Sequence, residues 1–465
     1  MTVDIKEPLT VKEIADAVGG RLVGNDLGIV DSVTTDSRDV KENSLFVAIK
    51  GEHFDGNDFI GTAAEHGASC VVTEKEPGEG FGTAAVITDD SIKALGRIAS
   101  EYKSKIAPLT VAVTGSIGKT TTKEFIWSVL SEKYKTLKTD GNHNNNIGLP
   151  MTLMGLDHSY SAAVVEMGMN HFGEIRELSK IARPNIAVIT NIGSSHIGNL
   201  GSREGIRDAK LEILCGLQPG GAIILNGDEP LLSGIEGACY VGKENRDCDV
   251  FVDNMVFGIN GSAFDLTIKG EKVESIVIPA LGEHNIMNAA MAYTVGLYAG
   301  MGEFEIRRGL KNYHTVGMRQ NICDRAGRHI IEDCYNASPE STIASLKVLC
   351  EIADARGLRP VTVLGDMREL GEFSFEEHSK VGKFASGAGL SLLVTFGKEA
   401  HVIADSAIKS GMSEGSVVSF DDLDDFRNVA NLLLGRTDGN DIILFKASRA
   451  VRMERIIEAM ENGCK

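Results

Sequence analysis

Residues 109–134 read LTVAVTGSIGKTTTKEFIWSVLSEKY. Leu109, Val111 and Val113 alternate with their neighbours, the pattern of a strand. A turn follows through Gly115, Ser116, Ile117, Gly118, Lys119, Thr120 and Thr121. Beyond it Phe125, Ile126, Val129 and Leu130 recur at helical spacing. Strand, glycine turn and helix in that order, with Lys119 and Thr120 at the helix start, predict a phosphate cradle. Its glycines let backbone N–H groups close on phosphate oxygens. The helix N-terminus adds partial positive charge, Lys119 adds a full one, and the Thr120 hydroxyl can face Mg²⁺. Only Ser116 and Ile117 separate Gly115 from Gly118-Lys119, a shorter spacing than the usual phosphate loop. The flanking strand and helix distinguish the stretch from a tight turn carrying a solvated lysine.

Around this stretch lies a chain of 465 residues, long enough for about three domains. Frequent glycine, few aromatics and a single tryptophan, Trp127, suit α/β domains with many tight turns. Charge is acidic, 47 basic against 65 acidic residues, a net of -18. That argues against general nucleic-acid or anionic-membrane binding and leaves phosphate recognition to a few placed cations. The cysteines (Cys70, Cys215, Cys239, Cys248, Cys323, Cys334, Cys350, Cys464) are scattered without a CxxC pair, and MTVDIKEPLTVKE does not read as a signal peptide. Reduced thiols in a cytoplasmic protein are the expectation. No apolar run reaches membrane-spanning length, so no membrane insertion is expected.

Residues 1–107 form the first expected unit. A helix is predicted over 9–23, with Thr10 as N-cap and Gly19-Gly20 as its stop. A strand through Leu45, Val47 and Ile49, a helix over 60–66 and a strand over 68–73 follow. Between them lie Asp36-Ser37-Arg38 and a turn through Asp55, Gly56 and Asn57. These are either polar loops or a ligand pocket, in which Arg38 would grip an anion and the Gly56 backbone would approach the ligand. Pro108 opens a second unit, 108–315, with strands over 162–165, 186–190, 222–225 and 275–278 and helices between most of them. That rhythm predicts a largely parallel, doubly wound sheet with ligands at the strand C-termini. The last unit, 316–465, has strands over 330–332, 361–364, 392–396, 417–420 and 442–445 and is a second α/β domain.

Chemistry gathers beyond the strand ends. Glu166 follows one, and Asn191 to His196 follow another. A carboxylate and an imidazole beside a phosphate cradle suit Mg²⁺ held between protein and nucleotide, although Mg²⁺ prefers oxygen and His196, taken alone, is more often a loop histidine or a hydrogen-bond donor. Lys210 looks like an ordinary helical lysine. Asn285 and Asn288 share one helical face, where they suit a base edge, or Asn285 caps the helix. Arg319 follows the last linker and could reach across to phosphates. Asp333, Asp366 and the Lys446–Arg449 stretch stand past three strands of one predicted sheet, where together they would line a cleft edge.

TGSIGKTTT, EMGMNHFGEI, TNIGSSHIGNLGS, DAKLEIL, LGEHNIMNAA and GMRQ together resemble the Mur ligases, ATP-dependent amide-forming enzymes of peptidoglycan precursor synthesis. GNHNNNIGLPMTL, IEDCYNASPES, VLGDMRELGEFSFEEH and LFKASRAVRME resemble the branch of that family that adds D-alanyl-D-alanine to UDP-N-acetylmuramoyl-tripeptide. The ATP motifs are shared with folylpolyglutamate synthase-like and cyanophycin synthetase-like enzymes, whereas the C-terminal motifs discriminate. The resemblance covers essentially the whole chain. It implies three α/β domains: an N-terminal uridine-nucleotide domain, a central P-loop-like ATPase domain and a C-terminal Rossmann-like domain. It implies a monomer acting through an acyl phosphate.

The resemblance also implies roles for residues. Lys119 and the 115–121 backbone would bind ATP phosphates, with Thr120 and Glu166 on one Mg²⁺. His196 and Lys210 would serve a second ion, Lys210 as a carbamate, which turns a cation into an anionic oxygen ligand. Asn288 would face adenine, with Asn285 beside it in the nucleotide site, Asp333 the ribose side and Arg319 the terminal phosphate. Ser37, Arg38, Asp55, Gly56 and Asn57 would hold the UDP-sugar, and Asn142, Asn144 and Asn145 its peptide arm. Asn336, Asp366, Lys446 and Arg449 would serve the dipeptide or the closed domain. Three residues depart from the family pattern: Asn57 replaces a usual His, Ser338 an Asn, and Ala447 a Gly. A sister ligase that adds the third peptide residue would carry a DNPR-like motif, where LGDMRELGE stands instead. A regulatory ATP-sensing module is the alternative from another class, against which the charged C-terminal cleft and the DSR segment argue.

Overall fold

The computed structural model describes residues 1–258 and 260–463, and their strands form three sheets. In the N-terminal sheet the strands run in the order Thr2–Thr10, Ile29–Thr34, Ser44–Val47, Cys70–Thr73, Ala84–Ile87 and Arg21–Val23. The first helix is shorter than the 9–23 expected: it spans Val11–Val18. Thr10 caps it reciprocally with Glu13, and Gly19 ends it in a left-handed conformation (φ 66°). Leu9 belongs instead to the first strand, and Arg21–Val23 pairs antiparallel with Ala84–Ile87. Apolar periodicity ran through the capping residues and across the glycines, so it could not mark the boundary.

The central sheet has nine strands. Leu109–Thr114 sits inside it between Ile186–Ile189 and Ala162–Glu166, parallel to both. Its alternation works as the pleat requires. Val111 and Val113 pack with Phe125, Ile126, Val129 and Leu130 of the following helix, Lys119–Leu130, while Ala112 faces the opposite core. The parallel run continues through Ala222–Asn226 and Ala238–Gly242 to Val250–Phe257. There the expected pattern stops. Ser262–Ile268 and Glu271–Ile278 add antiparallel, so 275–278 is the end of a ribbon's last strand rather than part of a βαβ unit.

The C-terminal sheet runs Asn321–Arg325, Arg328–Glu332, Asp441–Lys446, Arg359–Gly365, Leu392–Phe396, Val417–Phe420, parallel except for its first edge strand. Each of its faces carries its own apolar core. The N-terminal sheet is different. Its main core is continuous with that under one face of the central sheet, through the helix Ser91–Ile106. Tyr102 on that helix donates to the Leu156 carbonyl (2.7 Å), and Lys103 to the Arg183 carbonyl (3.2 Å). Among the described residues no helix is long and apolar enough to cross a membrane, and the seven described cysteines are free. Cys464 lies outside the described residues.

Candidate active site

The C-terminal ends of the central strands open on a cleft of about 1830 Å³ whose far wall is the C-terminal sheet. The turn 115–121 forms its floor. Two glycines there are required by geometry. A Cβ on Gly115 (φ 152°) would collide with the Thr190 hydroxyl, and one on Gly118 (φ 80°) would lie 2.8 Å from Asn288 Oδ1. Ser116 to Thr121 line the cleft, and Gly115 lies behind them.

Lys119 folds back over its own loop, donating to the carbonyls of Gly115 (2.8 Å) and Ser116 (3.3 Å). Desolvation lowers its pKa, Glu166 opposes that shift, and Arg319 adds to it. Glu166 is buried and held through both oxygens: Thr120 Oγ1 donates to Oε2 (2.8 Å) and Asn144 Nδ2 to Oε1 (2.9 Å). A hydroxyl and a carboxylate meeting beside a phosphate cradle form an oxygen donor set of the kind Mg²⁺ takes. No group of three His, Cys, Asp or Glu side chains converges as a metal cage among the described residues. Any ion here would complete its shell from phosphate and water.

His196 does not join that pair. It sits at φ 66° and its Nδ1 lies 2.8 Å from Glu369 Oε2 of the C-terminal unit. Lys210 is 1% exposed, and its side-chain ammonium makes no hydrogen bond or ion pair with any described residue. Burial first, and then the charge of Lys119, hold its pKa well below the ordinary lysine value. The helical pattern gave no sign of this, because an amine's burial depends on what packs over it.

Asn285 and Asn288 reach the cleft on Glu283–Tyr298, whose N-cap is Gly282, so Asn285 is not the helix cap. Their amides are joined, Asn288 Nδ2 to Asn285 Oδ1 (3.3 Å), and Thr122 Oγ1 donates to Asn288 Oδ1 (3.0 Å). Asn285 also donates to Leu281 O (2.8 Å) and Gln320 Oε1 (2.9 Å). Arg319 stacks its guanidinium over the Tyr335 ring at 4.2 Å and has no hydrogen-bond partner among the described residues. Asp333 and Lys446 are buried side by side (2.9 Å), with Ser345 Oγ on the same carboxylate (2.5 Å). Lys446 also donates to the Asn336 carbonyl (3.1 Å).

The other expected residues are placed as follows. Asn142, Asn144, Asn145 and Asn336 line the cleft. Asn145 Oδ1 is occupied by the amides of Ile147 and Gly148, and Asn144 serves Glu166. Asp366 and Arg449 do not line it: Asp366 is buried against Arg368 and the Ala400 amide, and Arg449 pairs with Glu454. Ser37, Arg38, Asp55, Gly56 and Asn57 are not among the residues that line the cleft. Arg38 is 85% exposed and pairs with its own neighbour Asp36, which brings the Asp36 pKa down. Asn57 is buried, taking Thr73 Oγ1 and Glu74 N on its Oδ1 and donating to Asp55. Gly56 makes its close approach to Ile49 backbone atoms of the same chain. Ser37 sits with Arg38 in the turn that follows Asp36. Sequence reasoning passed over Tyr335, Gln320, Glu340 and Glu369. Glu340 could have been noticed as an acid in the first turn of the helix after Ser338-Pro339, though nothing in spacing tells which way it reaches.

Comparison with known proteins bears on the same segments. Residues 29–103 match the model described as Mur ligase family, catalytic domain; 113–296 match the Mur ligase middle domain; 318–449 match Mur ligase, glutamate ligase domain. The chain is 38% identical over 458 residues to the UDP-N-acetylmuramoyl-tripeptide–D-alanyl-D-alanine ligase of Bacillus subtilis (strain 168), with 97% of each covered. It is 33% identical to the enzyme of that name from Escherichia coli (strain K12), over 98% of this chain and 99% of that one. Among solved structures it superposes on MurF from Acinetobacter baumannii with TM-score 0.89 at 30% identity, covering 99% and 100%. It superposes on the ADP complex of MurF ligase from Thermotoga maritima with TM-score 0.81 at 30% identity, covering 93% and 97%.

Proposed function

The chain belongs to the Mur ligase family, and from that premise we propose that it is the ATP-dependent ligase that joins D-alanyl-D-alanine to UDP-N-acetylmuramoyl-tripeptide in peptidoglycan precursor synthesis. The observation that carries the reading is one cleft bearing two kinds of chemistry, a phosphate loop with Lys119 and Glu166 on one wall and the Asp333–Lys446 pair on the other.

The terminal carboxylate of the tripeptide attacks the γ-phosphorus of ATP, and ADP leaves. The acyl phosphate is then attacked at its carbonyl carbon by the dipeptide amine, phosphate departs, and an amide remains. In the first step two anions meet, and Lys119, Arg319 and the loop amides offset their repulsion. Thr120 and Glu166 would hold Mg²⁺, which when bound adds positive charge against the phosphate oxygens. Lys210, buried and disposed to lose its proton, suits carbamylation, and with His196 would serve a second ion. Asn285, Asn288 and Asp333 suit the nucleoside, residues 1–107 with Ser37, Arg38 and the 55–57 turn the UDP-sugar. Asn142 and Asn336 suit the peptide ends. Asp366 and Arg449, behind the cleft wall, suit a role in seating the C-terminal unit over the dipeptide. The boundaries near 107 and 315 separate these tasks, and a monomer in the cytoplasm, where ATP is supplied, fits them.

The test is phosphate release from MgATP with the UDP-muramoyl-tripeptide alone, the dipeptide alone, and both. The expected result is release that needs both, with one new amide per phosphate by mass. Release indifferent to both would leave an ATP-hydrolysing module and sink the ligase reading.

A further inference from the structure

The central and C-terminal units meet at a short segment just past Ile186–Ile189, and the residues that hold it there lie outside the roles assigned above. Glu340, in the first turn of Pro339–Arg356, takes two hydrogen bonds from Ser194, the amide on Oε1 (2.9 Å) and the hydroxyl on Oε2 (3.2 Å). Glu369 reaches His196 from the turn after Arg359–Gly365. On either side of these contacts the packing is close: a Cβ on Gly198 would lie 3.1 Å from the backbone at Gly371 N, and one on Gly193 would lie 3.2 Å from the Glu340 carboxylate.

The same segment is tied on its other side to the phosphate loop. Asn191 holds both polar groups of Ile117, accepting from its amide (3.0 Å) and donating to its carbonyl (3.0 Å). The Asn191 carbonyl accepts from Ser116 N (3.1 Å), and Thr190 Oγ1 donates to Ile117 O (2.5 Å). On the far side, the helix that carries Glu340 also carries Ser345, which donates to Asp333, the partner of Lys446. Hydrogen bonds at Asn191 and at Ser194, the short stretch of backbone between them and one helix therefore join the loop that grips ATP to the buried pair on the opposite wall.

We propose that Glu340 is a positioning residue for the ligation. Through Ser194 it seats the helix Pro339–Arg356, and with it Asp333 and Lys446, against the phosphate loop, so that the activated carboxyl meets the amine before it meets water. The proposal rests on the ligase reading. Loosening this seat opens a competing step. A water oxygen bonds to the carbonyl carbon of the acyl phosphate, the bond from that carbon to the bridging oxygen breaks, and phosphate leaves with that oxygen and the electron pair. The tripeptide carboxylate is regenerated, and protons go to solvent and phosphate.

The experiment measures phosphate and amide in the same reactions for the wild type, Glu340→Ala, Glu340→Gln and Ser194→Ala, with melting temperatures alongside. Wild type should release one phosphate per amide. Glu340→Ala should release clearly more than one, and should hydrolyse ATP with the tripeptide even when the dipeptide is absent. Its amide turnover should fall roughly tenfold, the scale of a small misplacement of reacting groups, with KM for ATP little changed. Glu340→Gln, which keeps an acceptor for the Ser194 amide, should recover most of the ratio, and Ser194→Ala should shift it slightly in the same direction. A merely structural Glu340 would lower the melting temperature and leave the ratio at one; that result in Glu340→Ala overturns the proposal. Should Glu340→Ala not fold, a ratio that stays at one in a folded Ser194→Ala overturns it. A wild type that makes no amide overturns the ligase reading instead, and the positioning role falls with it.

Discussion

Lys119 is the one full positive charge in the loop that lines the cleft floor, and at rest it is spent on its own carbonyls at Gly115 and Ser116. Phosphate oxygens would compete for that ammonium with a much stronger field than two neutral carbonyls. Lys119→Ala should therefore cut amide formation by roughly a thousandfold, the scale of losing a charge-stabilising donor. Binding of the UDP-muramoyl peptide, measured by titration calorimetry, should stay within about twofold because the loop backbone does not need the side chain. Ligation close to wild-type rate would remove Lys119 from the cradle. Glu166 makes a second, separable case. Glu166→Gln keeps the shape and one acceptor for Asn144, leaves Thr120 to turn from donor to acceptor, and removes the charge. The Mg²⁺ concentration for half-maximal phosphate release should rise on the order of ten- to a hundredfold; an unchanged requirement would place the ion elsewhere. Both residues were legible because the motif and the strand end placed them. Lys210 was not, because a helical lysine looks the same in sequence whether solvent or protein covers it. Asn57 looked like part of a ligand turn, yet its carbonyl and amide are consumed in holding Thr73, Glu74 and Asp55 together.

At the scale of the element, the antiparallel ribbon of Val250–Phe257, Ser262–Ile268 and Glu271–Ile278 turns on Asp265. The strand pairing is irregular on both sides of it, and Asn254 and Ser275 both adopt positive φ (49° and 57°). Asp265 binds both irregular sites, accepting from Asn254 Nδ2 (2.8 Å), from Ser275 N (2.8 Å) and from Lys272 (3.1 Å). Those hydrogen bonds, Asn254 first, hold its pKa down to about 2. A carboxylate with a lowered folded pKa contributes stability that is fully present above its unfolded value, about 4, and is lost as pH falls from there through about 2. Asp265→Asn should cost about 1–2 kcal/mol in urea unfolding near neutral pH. The gap from wild type should narrow as the pH is taken down to about 3; a gap that stayed constant would mean the cost is shape rather than charge. The ribbon itself was only half legible. Its last strand, EKVESIVI, alternates, but it is largely exposed and charged, and alternation alone does not say whether a strand joins a neighbour parallel or antiparallel. The parallel strands were easier because both their faces are buried, which leaves short, nearly continuous apolar runs such as Ile186–Ile189. Substitutions in the last sheet are also explained at this scale. Ser338, in place of the family's asparagine, caps Pro339–Arg356 by accepting from the Ser341 amide (3.3 Å), and the Ala447 methyl packs where a Cβ on Gly365 would come within 2.7 Å.

For the whole molecule, the distribution of cores says which parts stand or fall together. Residues from the N-terminal sheet, the helix Ser91–Ile106 and one face of the central sheet share a single apolar cluster, whereas both cores of the C-terminal sheet are built mainly from residues beyond 321. Contact between the central and C-terminal units at Ser194, His196 and Gly198 is mostly polar or backbone and buries little apolar surface, so it adds little to cooperativity. Calorimetry of the full chain should therefore show two main transitions, not three. Leu444→Ala, at a fully buried position in the C-terminal core, should lower only one of them. Leu95→Ala, on the helix shared by the first two sheets, should lower only the other. Each truncation should cost about 2–5 kcal/mol in the unit it touches. On the proposed function ATP with Mg²⁺ would bind the loop that the Ser194 segment holds, so adding it should raise the transition of the N-terminal and central pair and bring the two transitions closer together. Three separate transitions, with Leu95→Ala moving only the smallest, would mean that the shared core does not unite the first two sheets.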